Sequence, residues 1–227
     1  AEIVEAANSG PALAFYGDDF TGAAENLAQF HRHGLRSRLY IEPVDPIHVK
    51  AEASGLDVVG IAGIARSCSP AEMRPLLQRA FSLIAGLGVR FVQYKICSTF
   101  DSAPKVGNFA IAIEEARRFW PDALVPVYPA TPDFGRYTAF ASLFSRHRGE
   151  VLRLDRNPAL ARHPSTPMTE ADLRCHLALL GVSDAQAVML PELDGDFLSL
   201  VEARGARGRP VVIDTVDNAQ LIRVGEA

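Results

Sequence analysis

The sequence is poor in cysteine, in lysine and in long apolar runs. Its three cysteines, Cys68, Cys97 and Cys175, are far apart and form no C-x-x-C pair. That excludes a disulfide framework, a zinc ribbon and a thioredoxin-type centre. No apolar run approaches the ~18 residues that a membrane span needs. Neither sign of charge dominates: the net charge is −4, so a broad basic surface for nucleic acid is not expected. Lysine is reduced to Lys50, Lys95 and Lys105 against twenty arginines. A GC-rich coding bias accounts for that ratio, yet it gives interest to any lysine inside a motif. The opening segment Ala1–Glu5 lacks the charged-then-apolar order of a secretion signal, and the expected compartment is the cytoplasm.

Familiar catalytic motifs are missing too. There is no G-x-x-x-x-G-K-[ST] phosphate loop, no G-x-G-x-x-G opening a helix and no G-x-S-x-G nucleophile elbow. The six histidines are scattered, and His31 and His33 sit at i, i+2 of one helical stretch, so they point apart. No metal site is expected from them. What remains is an ordinary globular composition, 48% hydrophobic and 22% charged over 227 residues. That is enough chain for one large or two small domains with a real core.

The apolar runs alternate in character. Leu13 to Tyr16, Ser37 to Ile41, Leu56 to Ala62, Val89 to Ile96 and Ala123 to Tyr128 read as strands. Between them, residues 23 to 33 carry apolar positions at helical spacing with Gly34 behind. Ser69-Pro70 opens a helix running to about Ala85, and Pro104 to Phe119 reads as another. The expected fold class is α/β: an open, mostly parallel sheet with helices on both faces. Beyond residue 150 the pattern weakens to one helix opened by Thr169 or Asp172 and closed by Gly181, then strands at 187–190 and 210–214. The Pro-containing stretch from Gly149 to Thr169 reads equally as an ordered excursion or lid and as a plain linker.

In such sheets ligands lie beyond the carboxyl ends of the strands. Four turns qualify, and in a single sheet they share one edge. They are Gly17-Asp18-Asp19-Phe20-Thr21-Gly22, then Gly63 to Ser67 with Arg66, then Lys95 to Ser102, then Pro129 to Thr131 followed by Arg136. The paired carboxylates Asp18 and Asp19 precede a helix start, where one aspartate suffices as a cap. The second is left to hold hydroxyls, to act as a base or to ligate a cation. Lys95, with Ser98, Thr99, Asp101 and Ser102 behind it, suits an anion and polyol pocket better than a solvated surface. Arg66-Ser67 and Arg136 suit a carboxylate or phosphate, which guanidinium pairs bidentately.

Two of these segments resemble a known family. Gly17-Asp-Asp-Phe-Thr-Gly-Ala23 and Tyr94-Lys-Ile-Cys-Ser-Thr-Phe-Asp-Ser-Ala-Pro-Lys-Val-Gly107 are similar to the signatures of the four-carbon acid sugar kinases. Gly135 to Phe140 and His163 to Leu173 add to the likeness, which covers nearly the whole chain and leans to the 3-oxo-tetronate kinase branch. The resemblance implies that residues 1–227 form the sugar-acid (substrate) binding domain. A C-terminal nucleotide-binding domain, or a homologous subunit, would then supply ATP and Mg²⁺. The reaction implied is phosphorylation of the terminal hydroxyl of a four-carbon sugar acid such as 3-oxo-tetronate, threonate or erythronate. Lys95, Arg66 or Arg136 would clamp the carboxylate, while Asp18, Asp19, Thr21, Gly22, Ser67, Ser98, Thr99, Asp101 and Ser102 would line the polyol. Asp19 is the preferred base and Asp18 the alternative. A small-molecule sugar acid is the implied partner, with neither nucleic acid nor membrane, and homo-oligomerisation is left open. The competing expectation is a sugar-acid binding or regulatory protein without kinase chemistry.

Overall fold

The computed structural model describes residues 10–226, so the segment Ala1–Glu5 lies outside the described residues. The chain divides between Ile96 and Cys97 into two compact units.

In the first unit β1 (Leu13–Gly17), α1 (Phe20–Arg32), β2 (Ser37–Ile41), α2 (Pro46–Ala53), β3 (Val58–Ala62), α3 (Pro70–Ala85) and β4 (Phe91–Lys95) alternate strictly. The strands form one parallel sheet in the order β2-β3-β1-β4. The crossover from β1 runs one way across the sheet, and those from β2 and β3 run the other. Right-handed connections therefore put α1 on one face and α2 and α3 on the opposite face. The side chains agree. Phe15, Val58 and Ala62 pack with Ala23 under α1, while Ala14 and Tyr16, which alternation turns the other way, are also buried. Register aligns Gly17 with Ala62 on one side and Lys95 on the other, so three strands end at one level.

The second unit contains α4 (Phe109–Arg117), β5 (Val125–Val127), β6 (Arg136–Ala139), β7 (Ser142–His147), β8 (Glu150–Arg153), α5 (Leu173–Leu180), β9 (Gln186–Val188), α6 (Phe197–Gly205), β10 (Pro210–Ile213) and α7 (Asn218–Glu226). A parallel sheet, β5-β10-β9, sits beside an antiparallel meander, β6-β7-β8. Val188, Leu193, Phe197, Val201, Val211 and Ile213 make its core.

The α/β class holds, but the single sheet does not. β5 pairs with β10 in the second unit and not with the first sheet. Periodicity identifies strands without saying which strand each will join. The helix expected from Pro104 begins only at Phe109, where the Asn108 side chain accepts from Ala110 N at 2.8 Å. The residues before it form a tight turn closed by an Ala103–Val106 bridge. The stretch 149–169 is an ordered excursion. It starts as β8, buries Leu154 and Met168, and is anchored where Asn157 Nδ2 donates to Ser145 Oγ at 2.8 Å.

α1 starts directly over the end of β1. A Cβ built on Gly17 would stand 2.5 Å from Ala23 Cβ, so only glycine lets strand and helix approach this closely. Gly17→Ala is expected to lower stability by about 1–3 kcal/mol through overpacking, read from urea denaturation. An unchanged midpoint would mean that α1 is not held against β1.

Candidate functional site

The sheet order of the first unit creates a switch point. β1 and β3 are neighbours, and the chain leaves them toward opposite faces, which opens a crevice at their carboxyl ends. Backbone hydrogen bonds knit the local turns. Gly63 N donates to Gly17 O at 2.9 Å, Arg66 N to Asp18 O at 3.1 Å and Asp18 N to Lys95 O at 3.1 Å. The turns after β1 and β3 thus meet beside the end of β4.

Arg66 sits on a short 3-10 turn, Ala65–Ser67, and reaches back over both aspartates. Its Nη2 donates to Asp18 Oδ1 at 2.6 Å and to Asp19 Oδ1 at 2.8 Å, and its Nε to Asp18 Oδ2 at 3.3 Å. The two carboxylates differ sharply. Asp18 is 1% exposed, and burial raises its pKa to about 6 although the Arg66 hydrogen bonds oppose the rise. Asp19 caps α1 by accepting from Gly22 N at 3.0 Å. Its side chain keeps 30% of its surface open, and among the described residues its Oδ2 accepts no hydrogen bond. Gly22 leaves room for this arrangement, since a Cβ would stand 2.5 Å from Asp19 Oδ1 and 3.5 Å from Lys95 Nζ and would push the capping carboxylate aside. Lys95 is half-buried, and its Nζ donates to Ile96 O at 2.8 Å. An ammonium has three donors, so that single bond leaves it able to grip an anion. Thr21 and Ser67 are exposed. Behind the aspartates, the Tyr16 hydroxyl donates to Glu42 Oε2 at 3.0 Å, a support that no sequence motif signals. A groove of about 810 Å³ borders the site at Phe20, Glu42 and Ile64.

In the second unit, Ser98 to Ser102 form a turn around Phe100, which is buried at φ 59°. Thr99 Oγ1 donates to Asp101 Oδ1 at 2.8 Å. Ser102 is buried, with its hydroxyl on Phe100 O at 2.9 Å and on His176 Nε2 at 2.9 Å. Arg136 lies on β6, where its Nη1 donates to Phe134 O at 2.9 Å. It therefore belongs to the meander and not to a strand-end turn of the first sheet. Asp214, which no motif singles out either, is fully buried and accepts from Phe140 N, Ala141 N and Leu190 N. Among the described residues no group of three or more His, Cys, Asp or Glu side chains could hold a metal ion. No helix among them is long and apolar enough to cross a membrane.

The chain matches the sugar-binding N-terminal domain family over residues 13–227. It is 38% identical over 219 residues to a 3-oxo-isoapionate kinase of Paraburkholderia graminis, covering 96% of this chain and 46% of that protein. It is 26% identical over 225 residues to a 3-oxo-tetronate kinase of Pectobacterium atrosepticum, covering 95% and 49%. A crystal structure from Salmonella typhimurium LT2, provisionally described as a tRNA synthase, superimposes with a TM-score of 0.81 at 25% identity, covering 94% of this chain and 50% of that one. The chain belongs to the sugar-binding N-terminal domain family of the four-carbon acid sugar kinases. It spans about half the length of the curated relatives it matches.

Asp18 yields a test with a definite sign. Its folded pKa of about 6 lies above its ordinary 3.8, so the folded state holds the extra proton more tightly. The stability this gives is full below the ordinary value and is lost as pH rises through about 6. Asp18→Asn cannot titrate. Its stability relative to the parent chain is therefore expected to improve between pH 4 and 7, by at most about 3 kcal/mol. Urea denaturation at several pH values measures this, and a difference independent of pH would contradict the burial of this charge.

Proposed function

We propose that this chain is the substrate-binding half of an ATP-dependent kinase that phosphorylates the terminal hydroxyl of a four-carbon sugar acid such as 3-oxo-tetronate, threonate or erythronate, in the cytoplasm. Both curated relatives described above are named for 3-oxo sugar acids. The observation that carries the reading is the pairing of roles at the β1–β3 crevice. Asp19 offers an unspent carboxylate oxygen and Lys95 an ammonium with donors to spare. A sugar acid presents the complements of both, hydroxyl donors and a carboxylate.

The residues divide the work by exposure. Asp18, sealed under Arg66, fixes the guanidinium and leaves Asp19 as the carboxylate that faces outward. Asp19 orients the attacking hydroxyl and accepts its proton, while Lys95 holds the substrate carboxylate. Phosphoryl transfer asks for positioning and charge balance more than for covalent chemistry. Arg66 points its Nε and Nη2 at the aspartates, so Lys95 is the better carboxylate clamp of the two. ATP and Mg²⁺ belong to the nucleotide-binding half that the family resemblance implies. Among the described residues no cluster of three or more His, Cys, Asp or Glu side chains is available to the metal.

Three outcomes are expected. In calorimetry the chain binds threonate or erythronate and not ATP. Lys95→Met weakens the acid about 10- to 150-fold, the loss of one charge-assisted contact of about 1.5–3 kcal/mol. Micromolar ATP binding, or equal affinity in the Lys95 variant, would overturn the assignment. In the protein completed by its nucleotide-binding half, Asp19→Asn lowers turnover by about 10²-fold or more, as expected for loss of a general base. Near-normal turnover would move the base elsewhere.

A further inference from the structure

The hairpin joining β6 to β7 turns on Phe140 and Ala141, at φ 52° and 61°. Two-residue turns of this kind call for Asn-Gly or Gly-Gly, which tolerate the left-handed region. Phenylalanine is a costly choice there. Its ring gains little from the core either, since the residue is 59% exposed. The strain is nonetheless enforced. Asp214 accepts from Phe140 N at 2.6 Å and from Ala141 N at 2.9 Å. The same carboxylate accepts from Leu190 N at 3.0 Å, so one buried group holds both the hairpin and the turn after β9. Strain held in place by its surroundings gathers at ligand sites.

The Phe140 ring borders a cavity of about 410 Å³ that is lined only by residues of the second unit. That volume falls within the roughly 300–1,000 Å³ of small-molecule sites. Phe140, Met189 and Pro191 give it apolar walls, and Arg174 and Arg204 bring two guanidinium groups. Each guanidinium is tied to a carboxylate along one edge. Arg174 donates to Asp172 through Nε at 3.1 Å and Nη2 at 2.6 Å, and among the described residues its Nη1 makes no hydrogen bond. Arg204 spends Nη1 and Nη2 on Glu192, and among the described residues its Nε makes none. The oxygens of Asp172 and Glu192 are all engaged, by these arginines and by Arg174 N and Met189 N. A guanidinium carries five N–H donors, so donors are in surplus at the cavity. Both arginine side chains stay accessible, at 37% and 29%.

We infer that this cavity is a second ligand site, for a small aromatic acid whose ring packs on Phe140 and whose carboxylate takes the spare donors of Arg174. Aromatic rings favour such stacked or edge-on contact, and guanidinium pairs strongly with carboxylate. The β1–β3 crevice is different in kind: there Asp19 offers a hydroxyl acceptor, whereas this cavity offers an aromatic face and donors.

Benzoate, cyclohexanecarboxylate and erythronate, titrated separately into the labelled chain and followed by backbone amide shifts, test the site. Benzoate is expected to give saturable shifts at Phe140, Arg174 and Met189. It is expected to bind about two- to tenfold tighter than cyclohexanecarboxylate, which has the charge without the aromatic face. Asparagine tolerates positive φ, so Phe140→Asn is expected to melt no lower than the parent while losing benzoate affinity about tenfold. Arg174→Gln leaves the hairpin untouched and is required to show a loss of about tenfold or more. A Phe140→Asn chain that melts well below the parent and still binds benzoate as tightly would show that the ring serves the fold alone. Equal affinity for the two ring acids, shifts at these residues with erythronate only, or no saturable shift there with millimolar benzoate would each overturn the site.

Discussion

A carboxylate taken out of water, and the guanidinium that makes this tolerable, organise the first unit. Asp18 ends β1 and is nearly inaccessible, so its charge carries a desolvation penalty. Arg66 offsets part of that penalty with a two-pronged contact. To do so, the turn after β3 must fold back over the turn after β1, and the backbone bond from Arg66 N to Asp18 O fixes it there. Asp19 is then oriented twice, by the same guanidinium and by the first turn of α1. A buried ion pair is a poor source of net stability. Its value here is directional, since it decides which of two adjacent carboxylates stays inside and which faces out.

The second unit uses the same device with a different partner. Asp214, just past β10, accepts three backbone N–H groups. Two come from Phe140 and Ala141, at φ 52° and 61°, where side chains with a Cβ are strained. The carboxylate compensates that strain and fastens the hairpin of β6 and β7 to the parallel sheet. Phe100 in the Ser98–Ser102 turn has the same kind of backbone, held by rings instead of a charge. Both units thus place strained or desolvated groups at loops, and hold them by contacts that reach in from outside the loop.

Local order in the first unit is written plainly in the amino-acid sequence. The strand Ser37–Ile41 and the helix Pro70–Ala85 fall where their apolar spacing and capping residues put them. The meeting of the turns after β1 and β3 follows once these strands are neighbours. α2 escapes such a reading although Asp45-Pro46 is a strong start signal, because its weak amphipathicity gives periodicity nothing to detect. The β6–β7 hairpin escapes it for another reason. Hairpins with two left-handed residues normally advertise themselves by Asn-Gly or Asp-Gly, and here Phe140-Ala141 stand in their place, supported from 73 and 74 residues away. The partner of β5 is equally hidden, since β10 lies far along the chain. The aspartate pair is visible as a motif, but the division of labour within it depends on burial, which spacing does not reveal.

The central claim is that Asp19 and Lys95, presented at the β1–β3 crevice by the buried Asp18–Arg66 pair, receive a sugar acid. The most direct measurement is an NMR titration of the labelled chain with erythronate, following backbone amides and the Lys95 side chain. Saturable shifts are expected at Asp18 to Gly22, at Arg66 and at Lys95, with the core strand Val58–Ala62 little affected. Saturable shifts confined to other surfaces, or none in this segment at millimolar acid, would contradict it.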